Sequence, residues 1–165
     1  MLSACSAPST LAYDQSDAVT EAPLVAPSGP VVLTVSGDIS MPNVGDQTLV
    51  DQATLDSMPH VAIDAFEPFV NKTISFTGIP ADRFLASLGI APNTPLVFRA
   101  LDNYETTYTR SQLAKEGAVV ATHQDGNPIP VEEGGPIRLV FPRNDGPISV
   151  DGNQWIWSIS EIVAG

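Results

Sequence analysis

From Val31 onward the chain is cut so often by Gly, Pro and Asp-containing turns that only short strands and brief helices fit between the breaks. Val31–Ser36 is a β-branched run closed by Gly37-Asp38, which predicts a strand and a turn. Asp51 is placed to cap a short helix that runs through Met58 and stops at Pro59. His60–Phe66 and Thr73–Thr77 alternate as strands. Pro80 opens a helix with Phe84, Leu85 and Leu88 on one face, and Gly89 ends it. Leu96–Leu101 and Glu105–Thr109 flank Asp102-Asn103, a hairpin signal. Ser111 is placed to cap a single helical turn that ends before Gly117. Ala118–Thr122 is another strand, with a turn at Asp125-Gly126, and Ile137–Phe141 is apolar enough to be central. Trp155, Trp157 and Ile159 alternate with Ile156 and Ser158, which predicts a last strand with one aromatic face in the core. Strands outnumber helices, so the class is α+β, with a mixed, mostly antiparallel sheet system and a few short helices.

Two regions follow from composition. Residues 6–30 are rich in Ser, Ala, Pro and Thr and contain no Lys or Arg. Such a segment buries too little apolar surface to offset its ordering entropy, and Pro23, Pro27 and Pro30 favour an extended spacer. Residues 1–30 are therefore expected to be a tether, and residues 31–165 a domain with its own core. The net charge is −12, and the few Lys and Arg residues are scattered rather than striped. Nucleic acid and anionic membrane surfaces are unfavourable partners for such a chain.

The constellations that usually carry chemistry are thin. His60 and His123 are the only histidines, and two lone histidines at strand ends are expected to be structural rather than a metal site. No Gly-rich loop with a following Lys supports nucleotide binding, and no nucleophile motif supports Ser-His-Asp catalysis. Asp145-Gly146 and Asp151-Gly152-Asn153 lack the spacing of a calcium loop and read as turns.

A family resemblance runs through ordered blocks of the body. They are Gly78-Ile79-Pro80 with Phe84-Leu85 and Leu88-Gly89-Ile90; Ala100-Leu101-Asp102-Asn103-Tyr104; Val120-Ala121-Thr122 with Asp125-Gly126-Asn127-Pro128-Ile129; Gly134-Gly135-Pro136-Ile137-Arg138-Leu139-Val140-Phe141-Pro142; and Trp155 with Trp157. In order and spacing these resemble the molybdopterin-binding domain of the sulfite-oxidase-like oxidoreductases, in a short single-domain version. The resemblance implies that fold, and in its enzymes a Cys thiolate that binds molybdenum on the loop after the strand matching His60–Phe66. Here that neighbourhood reads Ala65-Phe66-Glu67-Pro68-Phe69, and the single cysteine is Cys5. Glu67 could touch a metal but would not reproduce a sulfur donor. The enzymes also place a His where this chain has Glu133, beside Glu132, and cations in the run that here reads Asp145 to Gln154 without one. Acidic groups there repel a phosphate.

Arg138 alone remains of that anion-binding set. It is open to two readings: an ion pair with Glu133 or Asp102, or an anion site. Asp102 and Tyr104, at the hairpin tip, either form a turn and pack on the sheet or rim a ligand cleft. Arg138, Glu133, Asp102, Tyr104 and Gln154 are thus the residual candidate cleft. No cofactor, no metal ligand and no catalytic residue is expected.

At the N-terminus, Leu2-Ser3-Ala4-Cys5 resembles the lipobox of bacterial lipoproteins, which implies lipidation at Cys5. Only four residues precede Cys5, too few for a signal peptide, so this reading expects a longer leader. The bland alternative is an incidental cysteine near a disordered end. The resulting expectation is an exported, periplasm-facing, lipid-anchored module of the bacterial envelope. It would be non-catalytic and bind an envelope protein or a small ligand, touching the membrane only through its lipid. The alternatives are a molybdopterin-dependent oxidoreductase with an atypical metal ligand and a structural envelope protein.

Overall fold

The computed structural model describes residues 22–165. Cys5 and most of the expected tether lie outside them. The described part, residues 22–30, has no regular structure, but Leu24 packs against the core and the Ser28 and Gly29 amides donate to Asp51.

The architecture is α+β, with two five-stranded sheets and short helices. The first sheet has the order β2-β1-β10-β5-β6, formed by Thr48–Asp51, Val31–Gly37, Ile159–Ala164, Pro95–Ala100 and Glu105–Thr109. The second runs β3-β4-β7-β8, formed by Val61–Glu67, Lys72–Pro80, Val119–Gln124 and Asn127–Pro128, and β9 (Arg138–Val140) also pairs with β7. Every paired strand is antiparallel to its neighbour except β1 and β10, which run parallel with Thr34 opposite Glu161.

The alternation seen in the sequence explains these strands. In β1, Leu33 and Val35 point inward while their neighbours are at least partly exposed. One buried cluster joins the sheets: Leu33, Val35, Phe98 and Ile162 from the first, Phe76, Ile79, Ala121 and Leu139 from the second. Phe84 and Leu85, on α2 (Ala81–Ser87), belong to the same core. The short helix α1 (Gln52–Ser57) begins where expected, because the Asp51 carboxylate accepts the Thr54 amide at 2.8 Å.

Two local expectations are corrected. The helix α3 (Arg110–Lys115) is capped by Thr109, not Ser111. Thr109 and Gln112 form a reciprocal capping box, while the Ser111 hydroxyl donates to the Pro92 carbonyl. The last strand starts at Ile159, so Trp155 and Trp157 are not on it. Trp155 instead ends a 3-10 turn, Gly152–Gln154, in which the Asn153 amide donates to the Asp151 carboxylate. Ser158, with φ +50°, turns the chain before β10 begins. The strand period therefore does not govern the two indoles. Trp155 is buried and packs edge-on to Phe141 at 5.4 Å, whereas Trp157 is only half-buried.

Candidate functional site

Three parts of the chain build the site: the end of β3, the β5–β6 hairpin, and the stretch from the Gly-Gly-Pro block to Trp157. The last of these depends on two close backbone approaches. Gly134 has φ +89°, and a Cβ there would lie 2.8 Å from the Trp157 ring. A Cβ on Gly135 would lie 1.8 Å from the Ile129 carbonyl oxygen. Only glycine lets the indole and the Ile129 backbone come this near. The Ser158 amide then donates to the Gly134 carbonyl at 2.6 Å, which holds the Trp157 segment against the block.

Arg138 follows on β9. Its guanidinium lies 4.0 Å from the Trp157 ring centroid and 5.2 Å from that of Phe76. Its ionic partner is Glu67, with Nη2 donating to Oε1 at 3.1 Å. The side chains are 3% and 0% exposed. The other Glu67 oxygen accepts the Val70 amide at 2.8 Å, so the carboxylate is held on both sides. Burial, opposed by the nearby Glu67 and Glu133 charges, pushes Arg138 down to about 10, which still leaves it charged at neutral pH. Among the described residues, Arg138 Nε and Trp157 Nε1 are buried without a hydrogen-bond partner.

The partners expected for Arg138 are thus corrected. Glu133 sits on an exposed 3-10 turn, Val131–Glu133, where its carboxylate accepts a hydrogen bond from the Gln124 side chain. Asp102 sits at the hairpin tip and accepts the Tyr104 amide at 3.0 Å. Neither reaches the buried guanidinium, whereas the last residue of β3 does. Sequence distance concealed this pair, because residues 67 and 138 meet only through the second sheet.

Next to the pair opens a cleft of about 280 Å³, lined by Phe69, Ala100, Asp102, Tyr104, Asn153, Trp155 and Trp157. Asp102 thus makes the turn hydrogen bond, and it and the exposed Tyr104 both rim this cleft. Arg138, Glu133 and Gln154 do not line it. Gln154 contributes its backbone carbonyl, which accepts the hydroxyl of buried Tyr108. Tyr104 donates to the Asn153 carbonyl at 2.7 Å, so two phenols from β6 and its hairpin fasten the turn that presents the indoles. Trp155 Nε1 donates to the Ser149 carbonyl at 2.9 Å. The loop carrying Ser149 is clamped by Glu116, whose carboxylate accepts the Ile148 and Ser149 amides at 2.7 Å each.

Sequence reading missed five of the seven lining residues: Ala100, Asn153, Trp155, and the ring pair Phe69 and Trp157. The rings of that pair meet edge to face at 5.5 Å, and Phe69 is 56% exposed. Strand periodicity had assigned Trp157 to the core, and Phe69 carried no signal beyond its place after Glu67-Pro68. Elsewhere, the structure brings His60 and His123 together, ring centroids 6.4 Å apart, in a shallow pocket with Asp56, Thr77 and Gly126. Among the described residues no group of three or more His, Cys, Asp or Glu side chains is placed to hold a metal ion.

Comparisons with known proteins agree with this architecture. No curated protein matches the chain by sequence. Among solved structures, the sulfane dehydrogenase SoxCD from Paracoccus pantotrophus superimposes with a TM-score of 0.62 at 15% identity, over 80% of this chain and 37% of that one. At that identity the likeness concerns the fold, which is the sulfite-oxidase-like molybdopterin-binding fold, and this chain spans little more than a third of that protein's chain. The profile of the family described as "Oxidoreductase molybdopterin binding domain" matches residues 56–162, and the chain belongs to that family.

Proposed function

We propose that this chain is a non-catalytic member of its family, a module whose aromatic cleft binds a small ligand in place of molybdenum chemistry. The observation that carries the proposal is Glu67. In the strand-end neighbourhood where the family resemblance implies a metal-binding thiolate, this chain has a fully buried carboxylate. Both its oxygens are already engaged, one by Arg138 and one by the Val70 amide. A hard oxygen donor tied up in an ion pair does not suit a metal that its relatives hold through sulfur. The same pair consumes the guanidinium that would otherwise meet a phosphate. The residues present therefore do not fit the family cofactor, and no reaction step is assigned to it.

Export and tethering through Cys5 belong to the same proposal and rest on Leu2-Ser3-Ala4-Cys5. Two or more acyl chains are then expected, because one chain anchors only marginally.

One preparation tests both parts. Protein purified from membranes of a cofactor-producing native host is analysed for molybdenum and pterin, and by intact mass. The expected result is metal far below stoichiometry and a mass increased by lipid at Cys5. Stoichiometric molybdenum overturns the non-catalytic reading, and an unmodified Cys5 thiol on a soluble product overturns the tether.

A further inference from the structure

We propose that the cleft takes a small methylated ammonium cation. This rests on reading the cleft as a ligand site and names the chemistry of that ligand. Four of the seven lining residues are aromatic, Phe69, Tyr104, Trp155 and Trp157, and the one formally charged side chain among them is Asp102. Asp102 uses Oδ1 for the Tyr104 amide, which leaves Oδ2 without a protein partner among the described residues. No Lys or Arg lines the cleft. Arg138, though close to Trp157, is buried and paired with Glu67.

Each ligand class meets this wall differently. An anion would face Asp102 in a chain of net charge −12. A neutral apolar ligand would cover the carboxylate and leave it without water or a partner. A cation relieves both costs, and aromatic side chains attract a cation that meets their faces. A primary ammonium carries three N–H donors that each need an acceptor. The side chains on this wall offer few acceptors, chiefly Asp102 and the Asn153 amide. A methylated ammonium has few or no N–H groups to satisfy and presents methyls to the rings. The volume of about 280 Å³ is near the lower end for ligand pockets, which favours a compact cation.

Trp155 and Trp157 are the only tryptophans and both lie on the wall, so intrinsic fluorescence reports occupancy directly. The probes are choline and its neutral isostere 3,3-dimethylbutan-1-ol, titrated into the full chain. Saturable quenching by choline is expected, with the isostere roughly tenfold weaker. Asp102→Asn keeps an acceptor for the Tyr104 amide and so preserves the turn, and it is expected to weaken choline by roughly tenfold while the unfolding midpoint stays put. Equal binding of choline and the isostere, or an unchanged choline affinity in Asp102→Asn, overturns the cation assignment but leaves the cleft a ligand site. Absence of binding by both probes also overturns it. The molybdenum measurement judges the non-catalytic reading separately, so the two can fail independently.

Discussion

A carboxylate and a guanidinium removed from water stabilise a fold only while each fully compensates the other. Glu67 and Arg138 are in that situation, with side chains 0% and 3% exposed and a 3.1 Å contact. Removing either partner strands a charge in the interior. Glu67→Leu and Arg138→Met are each expected to cost about 3–5 kcal/mol. The double variant replaces both charges with apolar groups and is expected to recover to within about 1–2 kcal/mol of the parent. Urea unfolding of the four proteins measures this cycle, and single variants within about 1 kcal/mol of the parent would show that the pair is not isolated from water. Trp157 depends on the same pair, since the guanidinium packs against its ring and Gly134 leaves room for it. Trp155 also reaches the cleft wall, but at 2% exposure most of its indole is packed in the core.

The elements are short, and their ends are held by side chains more than by length. An isolated helix of one or two turns is not stable by itself. Asp51 shows how such a piece is retained. One carboxylate oxygen accepts the Thr54 amide and hydroxyl, and the other accepts the Ser28 and Gly29 amides. The Thr54 hydroxyl and amide, followed by the Gly29 amide, hold the Asp51 carboxyl well below its usual value of 3.8, against an opposing effect of burial. A depressed folded value means that this contribution is complete above the usual carboxylate range and is lost as pH falls through it. The parent should therefore lose stability between about pH 5 and pH 2 more steeply than Asp51→Asn, read as denaturation midpoint against pH. Parallel curves for the two proteins would remove Asp51 from the acid response. Glu116 acts on the loop before the indoles in the same way. Desolvation alone would raise its carboxyl, but hydrogen bonds from Ser149 and Ile148 outweigh it and lower the value.

Across the whole molecule, the first and last strands meet inside the first sheet. β10 lies between β1 and β5, and its parallel pairing with β1 joins residue 34 to residue 161. Such long-range pairing must await closure of nearly the whole chain. Removing residues 159–165 exposes an edge on both β1 and β5 and withdraws Ile159 and Ile162 from the core. That truncation is expected to abolish cooperative unfolding, followed by circular dichroism against urea. A cooperative transition near the parent midpoint would show that the first sheet closes without β10. The cleft inherits this dependence, because Trp155 and Trp157 stand just before β10 and Ala100 and Asp102 lie at the end of β5.

Local signals in the sequence were sufficient wherever a short stretch decides its own conformation. The alternation of β1, the Asp51 cap, the Asp102-Asn103 tip and the helix after Pro80 are of that kind, and so is the α+β class. The ordered blocks from Gly78 to Trp157 were enough for the family, because they mark turns, close approaches and core positions spaced along one fold. Tertiary structure decided what those local patterns do not contain. Ser158 turns the chain at φ +50°, so Trp157 leaves the strand period and becomes a wall of the cleft. Arg138 chooses Glu67 over Glu133 and Asp102, because the sheet carries the end of β3 to a buried guanidinium while the other two carboxylates stay at exposed turns. Periodicity describes neighbours along the chain, whereas ion pairing depends on which distant groups lose water together.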